Sequence, residues 1–227
     1  MSGKPIGFQV AEEVKPRLAD AHSAAEIAAI VIDARALTLA LHEVHRTHTP
    51  HQRVSCANGC TYCCHIRVET SPMEVIALMW WLGSRFDESN LQQIRARVEQ
   101  ADETTHGLSE MAHAASGMAC PLLVSEHCSA YDARPFDCQG YESMDETICR
   151  RALANYQIRD IPLNAPRYRA FLEARQAMNM VASRLGRQGE VLELTSALRI
   201  ALNTDDVVAR WISGDAVFDG AVINDNR

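Results

Sequence analysis

Between Ser23 and His45 the apolar positions fall at Ile27, Ile30, Val31, Ala34, Leu37, Leu41 and Val44. Those steps of three and four draw one stripe along an amphipathic helix. A second run, TSPMEVIALMWWL, carries its own start signal. Ser71 serves as N-cap, Pro72 takes the first helical position, and Glu74 completes a capping box. Weaker helical patterns, rich in good helix formers, cover residues 89 to 103 and 108 to 118. The period then lapses. CPLLVSEHCSAYDARPFDCQGY, residues 120 to 141, has two prolines, one glycine and no sustained 3.6-residue repeat. It predicts a compact irregular loop or a short hairpin.

Helical spacing returns in SMDETICRRALANYQ, opened by Ser143 and Glu146, and again from Pro166 to Leu185. In the latter run Tyr168, Phe171, Leu172, Met178, Val181 and Leu185 share a face. Two shorter helices are expected at 190 to 203 and 205 to 212, after which GDAVFDGAVINDNR has no period and is expected to fray. Trp80, Trp81, Trp211 and the methionines are expected to fill the core. The fold class is therefore mainly α: a helical domain in which two irregular cysteine-bearing segments, 55 to 69 and 119 to 141, meet at a metal site. The expected division is an N-terminal helical region at 1–50, a cysteine-cluster region at 51–150 and a C-terminal helical region at 151–227, packed as one unit.

With 227 residues, 47% of them hydrophobic, the chain can bury a core without cysteine staples. Its first residues lack the apolar run of a secretory signal, and no stretch approaches the ~18 apolar residues of a membrane span. The chain reads as cytoplasmic, where clustered thiols serve as metal ligands or redox groups rather than as disulfides. Twenty-two basic against twenty-nine acidic residues give a net charge of −7. No basic stripe or basic amphipathic helix is present, so neither nucleic acid nor a membrane is expected as a partner. Arg150, Arg151 and Arg159 read as a solvated helix face.

The cysteines change this picture. Four of the eight lie in SCANGCTYCCH, as Cys56, Cys60, Cys63 and Cys64. At 100° per residue a helical path would gather them within an arc of about 100°, although Asn58-Gly59 favours a turn before Cys60. Adjacent Cys63 and Cys64 cannot close one tetrahedron without strain, so Cys64 is a spare thiol, a ligand of a second site or a reactive group. The other four, Cys120, Cys128, Cys138 and Cys149, follow at wider spacing. Eight thiols suit two tetrahedral sites, one cluster with bystanders or one multinuclear site, and they favour soft metals: zinc, copper(I) or an iron-sulfur cluster.

CANGCTYCCHIRVETSPMEVIAL and CPLLVSEHCSAYDARPFDCQGYESMDETIC resemble the YkgJ-type cysteine-cluster family, a zinc- or iron-chelating domain with a CxxxCxxCC signature. The resemblance covers residues 55 to 150 and implies Cys56, Cys60, Cys63, Cys64, Cys120, Cys128, Cys138 and Cys149 as candidate ligands. Where family members often carry arginine after the Arg-Pro cysteine, this chain has Gln139. The resemblance also implies that Tyr131 and Arg134 support the site from behind, the guanidinium offsetting thiolate charge. The flagellin lysine methylases are similar in Cys56, Cys60, Cys63 and the pair Cys120 and Cys128, which implies an iron-sulfur cluster and a methylase-like alternative. No G-x-G-x-x-G loop follows a strand here to hold a nucleotide-like cofactor. The C-x3-C-x2-C spacing is shared with radical-SAM enzymes, but their parallel barrel needs a βα alternation that this helical sequence lacks.

His65 and His127 read equally as ligands or as water-exposed loop residues. The series His42, His45, His48 and His51 reads as a solvated helix end. The sequence thus supports a cytoplasmic metal-binding protein with an iron-sulfur cluster or zinc as cofactor. Its rivals are an enzyme that modifies a protein side chain or performs thiol redox work through Cys64, and a metal store or sensor. A protein partner or substrate is left open.

Overall fold

The computed structural model describes residues 4–46, 54–57 and 59–223, leaving aside the side chains of His45 and Arg46. His48 and His51 lie outside the described residues. The chain opens with α1, Ile6–Ala19, where the sequence pattern predicted no helix. Its buried positions Ile6, Val10, Val14 and Leu18 recur every fourth residue, a one-residue-wide stripe that surrounding charges and Pro16 obscure. α2, Ala24–Arg46, follows the predicted stripe. Its His42 is buried at 3% exposure, contrary to the solvated end expected for it.

β1, Glu69–Thr70, leads into α3, Pro72–Arg85. The capping box is present: Ser71 Oγ accepts from Glu74 N at 3.2 Å, and Glu74 Oε2 accepts from Ser71 N at 2.9 Å. α4, Glu88–Thr105, and α5, Glu110–Ser116, are capped by Asp87 and Ser109, whose side chains accept from the backbone amides of Asn90 and Ala112. The 120–141 stretch holds the hairpin β2, Leu123–Val124, with β3, His127–Cys128, turned through Ser125 and Glu126 at positive φ. After it comes a helix the sequence did not predict, α6, Phe136–Gly140, which follows Pro135 and carries Cys138.

α7, Glu146–Ala154, is capped by Asp145, two residues after the predicted Ser143. Asp145 accepts from Thr147 N and Ile148 N, while Ser143 forms a bridge to Leu163 instead. α8, Ala165–Arg184, β4, Leu192–Glu193, α9, Leu194–Asn203, and α10, Val207–Ile212, complete the elements. The last stretch is packed, not frayed: Phe218 and Ala221 are buried, and Ile223 N donates to Val191 O at 3.0 Å. Of the three tryptophans only Trp211 is a core residue, with Nε1 donating to Gln188 O at 2.8 Å. Trp80 is 37% exposed, and Trp81 meets Phe86 edge-on near the surface.

α1 and α2 pack on α8, and α2 also packs on α3, so the ends of the chain share one core through Val10, Val14, Ile27, Phe171 and Met178. A second core lies between α3, α4 and α9, built on Leu78, Leu82, Ile94, Val98, Leu122 and Leu198. β1 pairs antiparallel with β4, Thr70 opposite Leu192, and joins the two. Cys120, Cys128 and Cys138 pack against the second core. The hydrophobic effect that assembles that core therefore also positions three thiols.

Candidate metal centre

Polar groups from three helices pin the backbone on both sides of Cys138. Glu74, buried at 3% exposure, accepts from Phe136 N through Oε1 at 2.7 Å. Arg35 donates to the carbonyls of Asp132 and Arg134, and Arg167 Nε donates to Gln139 O at 2.9 Å. Gln139 returns its own amide to Arg134 O at 2.7 Å. Arg175 reaches Glu69 Oε2 at 2.6 Å, and Glu69 N donates to Asp137 Oδ2 at 3.3 Å. Burial pushes the Asp137 carboxyl up to about 6, against the pull of Arg175. An irregular segment fixed at so many points holds its side chains with the precision of a regular element.

The first cysteine group is built on a 3-10 turn, Tyr62–His65, which presents Cys63 and Cys64. Cys120 N donates to Cys64 O at 2.7 Å, which ties the second irregular segment to the first. Cys60, Cys63, Cys64, Cys120, Cys128 and Cys138 together line a cavity of about 70 Å³. Cys63 lies within electrostatic reach of Cys120, Cys128 and Cys138. The two irregular segments therefore meet at their thiols.

Cys56, Cys60 and Cys149 form a neighbouring group. Ser55 N donates to Ser143 O at 3.0 Å, Ser55 Oγ to Met144 O at 2.8 Å, and Ser143 N to Cys56 Sγ at 3.1 Å. These bonds lay the strand around Cys56 along the entry to α7, which packs on the 62–65 turn and carries Cys149. Cys56 feels Cys63, Cys60 and Cys149, and Cys60 feels Cys63 and Cys149. All eight cysteines are free thiols.

The environment raises these thiols. Burial pushes Cys120 up to about 12, with Cys128 adding to the shift. Burial and then the neighbouring Cys120 and Cys63 lift Cys138 well above the ordinary thiol range. A hydrogen bond with Cys64, followed by burial, does the same for Cys63. Burial raises Cys56, Cys60 and Cys128 as well. Arg134 opposes the shift at Cys63 and Cys128; its guanidinium stacks 3.7 Å from the Tyr131 ring centre and its Nε donates to Tyr131 O. So many thiols can ionise together only beside a compensating cation, and their softness selects zinc, copper(I) or iron over magnesium or calcium. Among the described residues no three His, Cys, Asp or Glu side chains are already turned together as a finished metal site. Each thiol has one rotatable bond with which to close on an ion.

A second cavity, of about 220 Å³, opens beside this centre. Cys63 and Cys149 stand in its wall with Tyr62, Tyr141 and His65, and Arg159, paired with Glu110, stands at its edge. His65 Nδ1 is buried there without a hydrogen-bond partner. His127 is exposed, with Nδ1 at 2.8 Å from Ser125 O. Arg150 and Arg151 are exposed on α7. The sequence reading missed α6 and the cavity with its tyrosines. Tyr62, set between Cys60 and Cys63, was the one local signal of the latter.

No helix among the described residues is long and apolar enough to cross a membrane. No curated protein and no solved structure matches the chain. Residues 55–161 match a family model, CxxCxxCC, whose description reads "Putative zinc- or iron-chelating domain". The matched segment contains all eight cysteines and leaves α1, α2 and the elements from α8 onward outside it. Residues 55–161 thus resemble the CxxCxxCC domain, which is described by zinc or iron chelation.

Proposed function

We propose that the chain is a cytoplasmic thiolate metal-binding protein that holds zinc or iron, the iron as an ion or in an iron-sulfur cluster. The observation that carries this reading is the six-thiol cavity of about 70 Å³. Six soft donors around one space are a fit for zinc or iron, with thiolate ligands at ~2.3 Å from a zinc ion. Glu74, Arg35 and Arg167 hold in place the backbone that presents Cys138. Eight free thiols suit a reducing compartment. The ion would supply charge neutralisation and cross-linking, joining the 55–69 and 119–141 segments. The test is metal analysis of the wild-type chain beside Cys138→Ser. The variant is expected to lose bound metal, whereas full retention would remove Cys138 from the ligand set and sink the reading.

A second reading, metal-dependent modification of a protein side chain or thiol redox chemistry, draws on the 220 Å³ cavity with Cys63 and Cys149 in its wall. It is separated from the first by a variant such as Cys64→Ser that keeps its metal and loses an activity.

A further inference from the structure

The eight thiols are not equivalent, and the folding pattern divides them. Cys120, Cys128 and Cys138 pack against the second core and share Cys63 as a neighbour. That is four thiols from three separate segments, walled on one side by Val68, Leu122 and Leu194. Cys56, Cys60 and Cys149 are neighbours of one another and of Cys63, with Cys60 at the edge of the thiol cavity. They are held by the bonds between Ser55, Ser143 and Met144 and by the packing of α7 on the 62–65 turn. Cys56 is exposed, and Cys149 faces the 220 Å³ cavity. Cys64 is bonded to Cys63 and is not among the neighbours of Cys128.

From this arrangement we propose two metal sites of unequal character: a closed one supplied by Cys63, Cys120, Cys128 and Cys138, and an outer one supplied by Cys56, Cys60 and Cys149, whose fourth position is open to an incoming small ligand. The proposal rests on the metal-binding reading above and adds a second site to it. Four protein ligands in a walled-off setting make a structural thiolate site; three ligands with an open position are the arrangement of sites where ligands come and go. The outer ion belongs to the same soft class, zinc or iron(II), because its donors are again thiols. Access differs as well. A chelator or small thiol reaches the outer group from solvent at Cys56 and through the cavity that Cys149 shares with Cys63, while Cys120, Cys128 and Cys138 pack against the second core. The outer ion therefore exchanges and the inner one stays.

The test uses the full chain, reconstituted with Zn²⁺ in the absence of oxygen, with ions counted per chain and their release to a coloured chelator followed in time. The wild type is expected to hold two equivalents released in two phases. Cys56→Ser and Cys149→Ser are each expected to lose the fast equivalent and keep the slow one. Replacing zinc with Co²⁺ gives a second readout: added imidazole should alter the visible spectrum of the wild type and leave that of Cys149→Ser unaltered. One slow equivalent in the wild type, or retention of both equivalents by Cys56→Ser and Cys149→Ser, overturns the outer site and leaves the metal-binding reading standing. Absence of any bound ion overturns both.

Discussion

Loading the thiol centre with zinc should release close to one proton for every cysteine that binds. The perturbation is a stepwise addition of Zn²⁺ to the metal-free chain at pH 7.5, and the structure sets the magnitude. With Cys120 pushed up to about 12, roughly 3 in 100,000 of these thiols are ionised at that pH. Cys63 and Cys138 are lifted well above the ordinary range and Cys128 is raised, so none of the four starts as an appreciable thiolate. A four-thiolate ion must therefore displace about four protons. The same linkage fixes the pH dependence: as pH falls, each ligand must give up a proton against a higher proton concentration. The apparent affinity then drops by about four orders of magnitude per pH unit. The assay is a weakly buffered titration read with a pH indicator, beside an independent count of bound zinc. Two or fewer protons per ion would refute the reasoning, because the ligands would then include histidine or carboxylate, or thiols already ionised in the fold.

Three further expectations test how the fold holds the site. Gly140, at the end of the helix that carries Cys138, meets Phe171: a Cβ there would stand 2.9 Å from Phe171 Cβ. Gly140→Ala should destabilise by about 1–3 kcal/mol, lowering the melting temperature by about 3–10 °C for a chain of this size; an unchanged melting temperature would mean that α6 is free to shift. Ser71→Ala removes the acceptor for Glu74 N and one of the donors to Glu74 Oε2, and should cost about 1 kcal/mol in urea denaturation. His113, buried without a partner for Nδ1, is held below its ordinary value of 6.5 by burial, with Glu193 opposing and Arg67 adding to the shift. The folded chain thus prefers the neutral ring; that contribution is present above pH 6.5 and is lost as pH falls through the lowered value. Urea midpoints should fall between pH 7 and pH 5 in the wild type and fall less in His113→Gln, and parallel declines would remove His113 as the cause.

The parts of the fold read correctly from sequence are those in which local pattern and tertiary packing ask for the same thing. Ser71, Pro72 and Glu74 specify the start of α3 within four residues, and the stripe from Ile27 to Ala34 is wide enough to mark α2. α1 escaped because only every fourth residue is buried and Pro16 interrupts the pattern. The burial of His42, Phe218 and Ala221 depends on elements distant in sequence that no local window contains. The cysteines divide in the same way. Their number and softness announce a metal site, but which thiols become neighbours depends on bonds between Ser55 and Ser143 and on the docking of α6, unseen in sequence, beneath Glu74.

The central claim is that zinc or iron, held by these thiols, joins the two cysteine-bearing segments. Purification without oxygen, followed by determination of zinc, iron and acid-labile sulfide per chain together with the visible spectrum, tests it most directly. The account expects zinc or iron bound to the chain, with the sulfide count and the spectrum telling single ions from a cluster. A chain that holds neither metal would contradict it.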